Sequence, residues 1–280
     1  MPIAPGQPRS VQARRILSPT SGFIAEAGFT HSLNPARNCT FGCTYCYVPT
    51  LGIYGGLMPD DVRHWRQFTT FKTNAAELLR RELHAHHRIY CSPLGRPHQP
   101  AEAAGPHMPR ILEAVLDAPP RVFVLQTQGP LILPDLDRLR RLALRTTLRV
   151  SFSVTTNRED VRRLYEPHCA PIAERLEVIR TLRDAGIETY ATLAPLLPCD
   201  PLLTLEASRD LTGDPLHVRA VKRHGATTRE AALRVSAAHG FDPWLDAEFQ
   251  AGIVDRIRAA AQSMGCGFAT GPVGFGKLAA

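Results

Sequence analysis

Short β-type runs alternate with amphipathic helical patterns along most of the chain, and this alternation limits the fold more than any other feature. Strand candidates lie at residues 29–33, 88–92, 121–127, 148–154, 187–195 and 215–221. Helical periodicity recurs between them. At 74–86, Ala75, Leu78, Leu79 and Leu83 share one face. Further helices are expected at 109–116, at 134–144 with Pro134 in the first turn, at 171–186 ending on Gly186, and near 201–210. Such units pair in parallel through right-handed crossovers, and about six of them predict an α/β fold, a partial (β/α)6 barrel with a helical C-terminal extension. The expected divisions are a loose Pro- and Arg-containing arm (1–27), the barrel core (28–221) and the extension (222–280). The Gly-rich end, GCGFATGPVGFGKL, has no assigned place. In barrels of this kind the active site gathers where the strands end. A single mouth is therefore expected for the loop after the first strand, Cys91 and Ser92, residues 126–129 and 153–156, and Ala194 with Pro195.

A chain of 280 residues with 44% hydrophobic content can bury a sizeable core. No stretch approaches the roughly 20 apolar residues that span a bilayer, and the N-terminus has no apolar signal core. A cytoplasmic protein with no membrane partner is expected. Seven cysteines are an odd number, which in a reducing compartment favours metal or thiol chemistry over a disulfide framework. The formal charge of +7 permits an anionic partner such as nucleic acid without requiring one.

Three of the cysteines crowd into LNPARNCTFGCTYCYVPT (33–50), as Cys39, Cys43 and Cys46. Thiolates are soft ligands that suit zinc or iron–sulfur clusters. A complete cubane normally takes four cysteines, so a cubane held by three keeps one iron open. Gly42 eases the backbone turn, and Phe41, Tyr45 and Tyr47 can screen a cluster from water. The other reading is a zinc knuckle with His31 or another residue as fourth ligand, in a non-catalytic zinc-containing nucleic-acid-binding protein. Zinc motifs usually come as two spaced pairs, which this loop lacks.

C-x3-C-x2-C followed by an aromatic residue resembles the radical S-adenosylmethionine (radical SAM) superfamily. That resemblance implies the partial barrel of the radical SAM type. It also implies a 4Fe–4S cluster on Cys39, Cys43 and Cys46, S-adenosylmethionine on the open iron, and reductive cleavage to a 5′-deoxyadenosyl radical. NPARNCTFGCTYCY, and YEPHCAPIAERLEVIRTLRDAGIETYATLAPLLP with its Glu166, Pro167, Arg175, Leu176, Ala185, Gly186, Pro195 and Pro198, resemble the spore photoproduct lyase-like branch. The resemblance covers roughly residues 30–200. It implies repair of spore-photoproduct-type thymine lesions in DNA, a flavodoxin- or ferredoxin-type electron donor, and a carbon–carbon lyase reaction. A small-molecule biosynthetic substrate is the alternative within the same chemistry.

By this resemblance Cys91 donates a hydrogen atom to the product radical, and Tyr45 and Tyr47 relay the radical back. A strand-end cysteine can equally be a small core hydrophobe. Tyr47, Ser92, Gln128, Ser153 and Ala194 are the implied cofactor contacts. Gln128 stands where the branch carries a lysine; it keeps a donor but not the charge. Leu94, Gly95 and Arg96 replace an expected acidic residue. Cys169, Cys199 and Cys266 carry no such argument. HAHHR (84–88) reads as the exposed last turn of a helix rather than a metal site. The arginines at 138, 140, 141, 145 and 149 read as an outer helix face at least as well as a phosphate site, and Lys222 with Arg223 is the better phosphate candidate. No Walker loop, dinucleotide fingerprint or hydrolase elbow occurs.

Overall fold

The computed structural model describes residues 8–46, 48–49, 62–91, 94–201, 216–218, 226–265, 268–276 and 279–280. The N-terminal part forms β1 (Arg9–Val11), β2 (Leu17–Pro19) and α1 (Gly22–Glu26), followed by β3 (His31–Leu33), β4 (Ala36–Arg37) and β5 (Thr70–Lys72). Then come α2 (Ala75–Glu82), β6 (Arg88–Cys91), α3 (Met108–Asp117), β7 (Val122–Thr127), α4 (Leu136–Ala143) and β8 (Thr147–Ser153). The chain continues through α5 (Glu159–Tyr165), α6 (Ile172–Asp184), β9 (Glu188–Leu193) and β10 (Leu216–Val218). It ends with α7 (Ala226–His239), α8 (Ala247–Ser263), β11 (Phe268–Thr270) and α9 (Gly271–Gly276).

The main sheet runs β11-β10-β9-β8-β7-β6-β3-β2. Every pairing is parallel except β2 with β3. From β3 onward, neighbours in space are neighbours in strand order, as single winding requires. The sheet stays open, with β2 and β11 at its edges among the described residues. The sequence left the Gly-rich tail without a place; part of it, β11, extends the sheet beside β10. The N-terminal stretch is not loose from residue 8 onward. β1 pairs with β5, and the backbone N–H groups of Ile16 and Leu17 donate to the Glu82 carboxylate at 3.0 and 2.8 Å.

Helix packing follows the apolar stripes. α3 buries Met108, Ile111, Leu112 and Val115, the i, i+3, i+4, i+7 face. These side chains meet Ile89, Phe123, Leu125, Val150 and Phe152 on one face of the sheet. Each such fully buried side chain contributes roughly 1.5–3 kcal/mol. The opposite face carries Tyr90, Val122, Val124 and Tyr190, closed at the strand starts by Phe29 and Phe275. Nearer the strand ends that inner face turns polar: Ser151 Oγ and Thr192 Oγ1 lie 2.7 Å apart, and Ser153 follows. The arginines of α4 take the outer-face reading. Arg138 and Arg141 pair with Glu113 of α3, and Arg140 with Asp137.

Candidate active site

The cysteine loop leaves β3 at its C-terminal end and is clamped from several sides. Asn38 takes a left-handed φ of 68°. Its side-chain oxygen accepts from the N–H groups of Cys39 at 2.7 Å and Arg66 at 3.3 Å. Buried Gln99 accepts the Thr40 N–H at 2.8 Å. Gly42 has a φ of 70°, and a Cβ there would lie 2.7 Å from the His168 ring. Thr44 N–H donates to the Tyr165 carbonyl at 2.8 Å, tying the loop to the end of α5. The thiols of Cys39, Cys43 and Cys46 are thereby half-buried in one place.

Burial, reinforced by the neighbouring Cys43, pushes the Cys39 thiol up to about 11 and the Cys46 thiol up to about 12. Cys43 is held below the ordinary thiol value by hydrogen bonds, first with Cys169 and then with Gln128 and Tyr45. The Gln128 side-chain amide donates to Cys43 Sγ at 3.2 Å and to Cys169 Sγ at 3.0 Å. Donor atoms of Cys43, Glu166 and Cys169 all lie within 4.8 Å of one another.

Glu166 organises the floor. Its carboxylate accepts from the Tyr45 hydroxyl, from Thr155 Oγ1 at 2.7 Å and from the Arg175 guanidinium. Burial, with Cys43 and Glu166 nearby, raises the Tyr45 phenol well above its ordinary value, so it keeps its proton and donates it. Across the mouth Arg96 donates to Ser153 Oγ at 3.3 Å. Burial works against the Arg96 charge, but Tyr90, Tyr45, Cys39 and Cys43 outweigh it and hold the pKa above its ordinary value. Among the described residues Arg96 has no carboxylate partner.

Cys39, Cys43, Cys46, Tyr45, Gln128 and Ser153 therefore share one mouth, as the strand-end argument predicts. Ala194 follows β9, half-buried, and is joined to Pro195 by a cis peptide. Tyr47 and Ser92 lie outside the described residues, as do Cys266, Lys222 and Arg223. Cys91 requires a correction. It ends β6 as expected, but its side chain belongs to the apolar layer between sheet and helices, with Ile89 and Leu125. Tyr90, one residue earlier, is the one that faces inward. Burial alone raises the Cys91 thiol, with no charged group contributing. HAHHR is a turn after α2, not its last turn: His87 N–H donates to the His84 carbonyl, and the His31 ring packs tilted against His87, with centroids 4.1 Å apart.

Two members of the site escaped sequence reasoning. Cys169 sits three residues after Glu166, but nothing local reveals that the turn beyond α5 brings it to Cys43. Arg96 was visible only as a departure from an expected acidic residue; its charge enters the mouth because the loop after β6 folds back to Ser153.

The family model of the radical SAM superfamily matches residues 33–207, from the end of β3 beyond β9. The chain belongs to this superfamily. Radical SAM proteins use a 4Fe–4S cluster and S-adenosylmethionine, and a solved structure of similar fold carries the latter. The residues present fit both groups: three clustered thiols suit an iron–sulfur site with an open iron, and the half-buried Arg96 guanidinium, with no carboxylate partner among the described residues, suits an anionic group. An uncharacterised protein of Methanocaldococcus jannaschii is 22% identical over 188 residues, 67% of either chain. A protein of Mycobacterium bovis is 28% identical over 210 residues, 70% of this chain. The chain spans about 61% of that mycobacterial relative's length. Spore photoproduct lyase complexed with dinucleoside spore photoproduct has a similar fold, with a TM-score of 0.65 at 14% identity, covering 94% of this chain and 82% of that one. A variant of the same lyase with bound S-adenosylmethionine and the dinucleoside gives 0.63 at 14% identity over 92% and 80%. Among the described residues no helix is long and apolar enough to cross a membrane.

Proposed function

We propose that this radical SAM chain holds its cluster through Cys39, Cys43 and Cys46 and acts on spore-photoproduct-type thymine lesions in DNA. When bound, the cluster supplies one electron and S-adenosylmethionine supplies a 5′-deoxyadenosyl radical that abstracts hydrogen. The observation that carries the reading is the cysteine loop facing Arg96 and Ser153 across one mouth. Arg96 takes the cofactor carboxylate, supplying the charge that Gln128 lacks, and Ser153 takes a ribose hydroxyl. Tyr47, Ser92 and Ala194 complete the cofactor contacts. Tyr45 stays protonated against Glu166 and, with Tyr47, returns the radical equivalent. A flavodoxin- or ferredoxin-type protein is the electron source. The resemblance of Glu166, Pro167 and Arg175 to the spore photoproduct lyase-like signature supports this branch, and the charge of +7 agrees with a DNA substrate.

A second reading keeps the radical chemistry but replaces DNA with a small molecule. Cys91 favours it, because its thiol lies in the apolar layer rather than in the mouth. One anaerobic reaction separates the two. The reconstituted chain, reductant and S-adenosylmethionine are mixed with a spore-photoproduct dinucleotide. 5′-Deoxyadenosine together with restored thymines is the expected result. 5′-Deoxyadenosine without repair selects the small-molecule reading. Neither product from a protein with an intact cluster sinks the radical assignment.

A further inference from the structure

Gln128 reaches two sulfurs with one amide. Its nitrogen is 3.2 Å from Cys43 Sγ and 3.0 Å from Cys169 Sγ. The side chain is 1% exposed, and Cys169 is 5% exposed. Water therefore has little access to compete for these contacts. Cys169 is itself fixed: its N–H donates to the Glu166 carbonyl at 3.1 Å, and its carbonyl accepts from Arg162 at 2.8 Å. One amide hydrogen thus points at Cys43 while the other is anchored on a sulfur that the cluster motif does not use.

A hydrogen bond to a ligating thiolate withdraws electron density from the iron and stabilises the reduced cluster, so it raises the reduction potential. Burial strengthens such a bond, because the low local dielectric screens it less. We infer that Gln128 sets the reduction potential of the cluster through an N–H···S bond to Cys43, and that Cys169 is the acceptor that orients its amide. This rests on the reading of Cys43 as a cluster ligand. Both are positioning residues. An amide supplies the hydrogen bond without a formal charge, so the effect is a tuning of the electron-accepting step rather than a site for an anion.

The test is a potentiometric titration of the anaerobically reconstituted full chain, read by the electron paramagnetic resonance of the reduced cluster. Gln128→Leu is expected to lower the reduced-to-oxidised ratio at a fixed applied potential about tenfold, which is about 59 mV for one electron. Cys169→Ala, which removes both the acceptor for the Gln128 amide and the direct Cys169–Cys43 contact, shifts it the same way, and Cys169→Ser, whose hydroxyl both accepts and donates, restores it. Where Gln128→Leu does not retain iron, the Cys169→Ala and Cys169→Ser pair carries the test. An unchanged midpoint in iron-replete Gln128→Leu, or in iron-replete Cys169→Ala where that pair is used, overturns the inference while leaving the ligand reading intact. A full cluster in Cys43→Ala overturns the ligand reading, and the inference falls with it.

Discussion

Glu166 and Arg175 form an ion pair in which neither side chain reaches solvent. The pair joins the corner between α5 and α6 to two parts of the mouth, because the same carboxylate also accepts from Tyr45 in the cysteine loop and from Thr155 after β8. Two further nitrogens of Arg175 are buried without a partner among the described residues. Those unpaired donors cost free energy, so the pair is better understood as fixing geometry than as adding stability.

Breaking it from one side should therefore be severe. Arg175→Met leaves a buried carboxylate uncompensated, which costs about 3–5 kcal/mol. Urea unfolding measures the loss. The double change Arg175→Met with Glu166→Gln should recover part of it, since no buried charge is then left alone. A double variant less stable than Arg175→Met would contradict this.

Cys91 and the loop cysteines should separate cleanly on iron content. Cys39→Ala, Cys43→Ala and Cys46→Ala each lose the cluster. Cys91→Ala keeps full iron and costs about 1 kcal/mol, the scale of a small core truncation. Iron per chain and the urea midpoint are the two readings. Iron loss in Cys91→Ala would place its thiol in the mouth after all.

Gly129 is pinned by its surroundings rather than by its dihedral angles. A Cβ there would lie 2.4 Å from the His98 carbonyl oxygen and 2.8 Å from the Phe41 ring. Phe41 belongs to the cysteine loop, so overpacking at Gly129 is transmitted to the cluster residues. Gly129→Ala should destabilise the chain by about 1–3 kcal/mol and reduce reconstituted iron. Normal iron loading with normal stability would show that the loop adjusts freely.

What the sequence shows and what it hides follow from strand physics. The apolar run of β7 and the Gly186 stop of α6 are local signals, and both elements form where expected, with Gly186 at a φ of 78°. The cysteine loop was legible because its three ligand candidates, Cys39, Cys43 and Cys46, lie close together in sequence. The facing of Cys91 was not. All of Ile89, Tyr90 and Cys91 are buried, so both faces of β6 read as apolar and alternation gives no phase. β2 and β11 hold three residues each, too few to show a period, and Pro19 within β2 fits only an edge strand. Arg96 and Cys169 enter the mouth through loops whose course depends on the packed fold.

The histidines at the opposite end of the sheet give the chain an acid-sensitive corner. His87 is 5% exposed, and its ring packs against those of His31, His84 and His86. Burial first, then repulsion from His31, His86 and His84, lowers its pKa to about 4 from an ordinary 6.5. His31 is lowered as well, by burial and then by His86, Arg15 and His84. Between pH 6.5 and 4 the unfolded chain takes up a proton on His87 that the folded chain refuses. Stability from this group is therefore full above pH 6.5 and falls as the pH drops, by at most about 1.4 kcal/mol per pH unit and less where water screens the charge. His87→Gln removes the titration but keeps a polar side chain in the turn. Urea midpoints for both proteins should run parallel above pH 7 and converge towards pH 4, as the parent loses stability faster. Curves that stay parallel down to pH 4.5 would show that His87 accepts its proton in the folded state, and that the turn at 84–87 opens to water without cost.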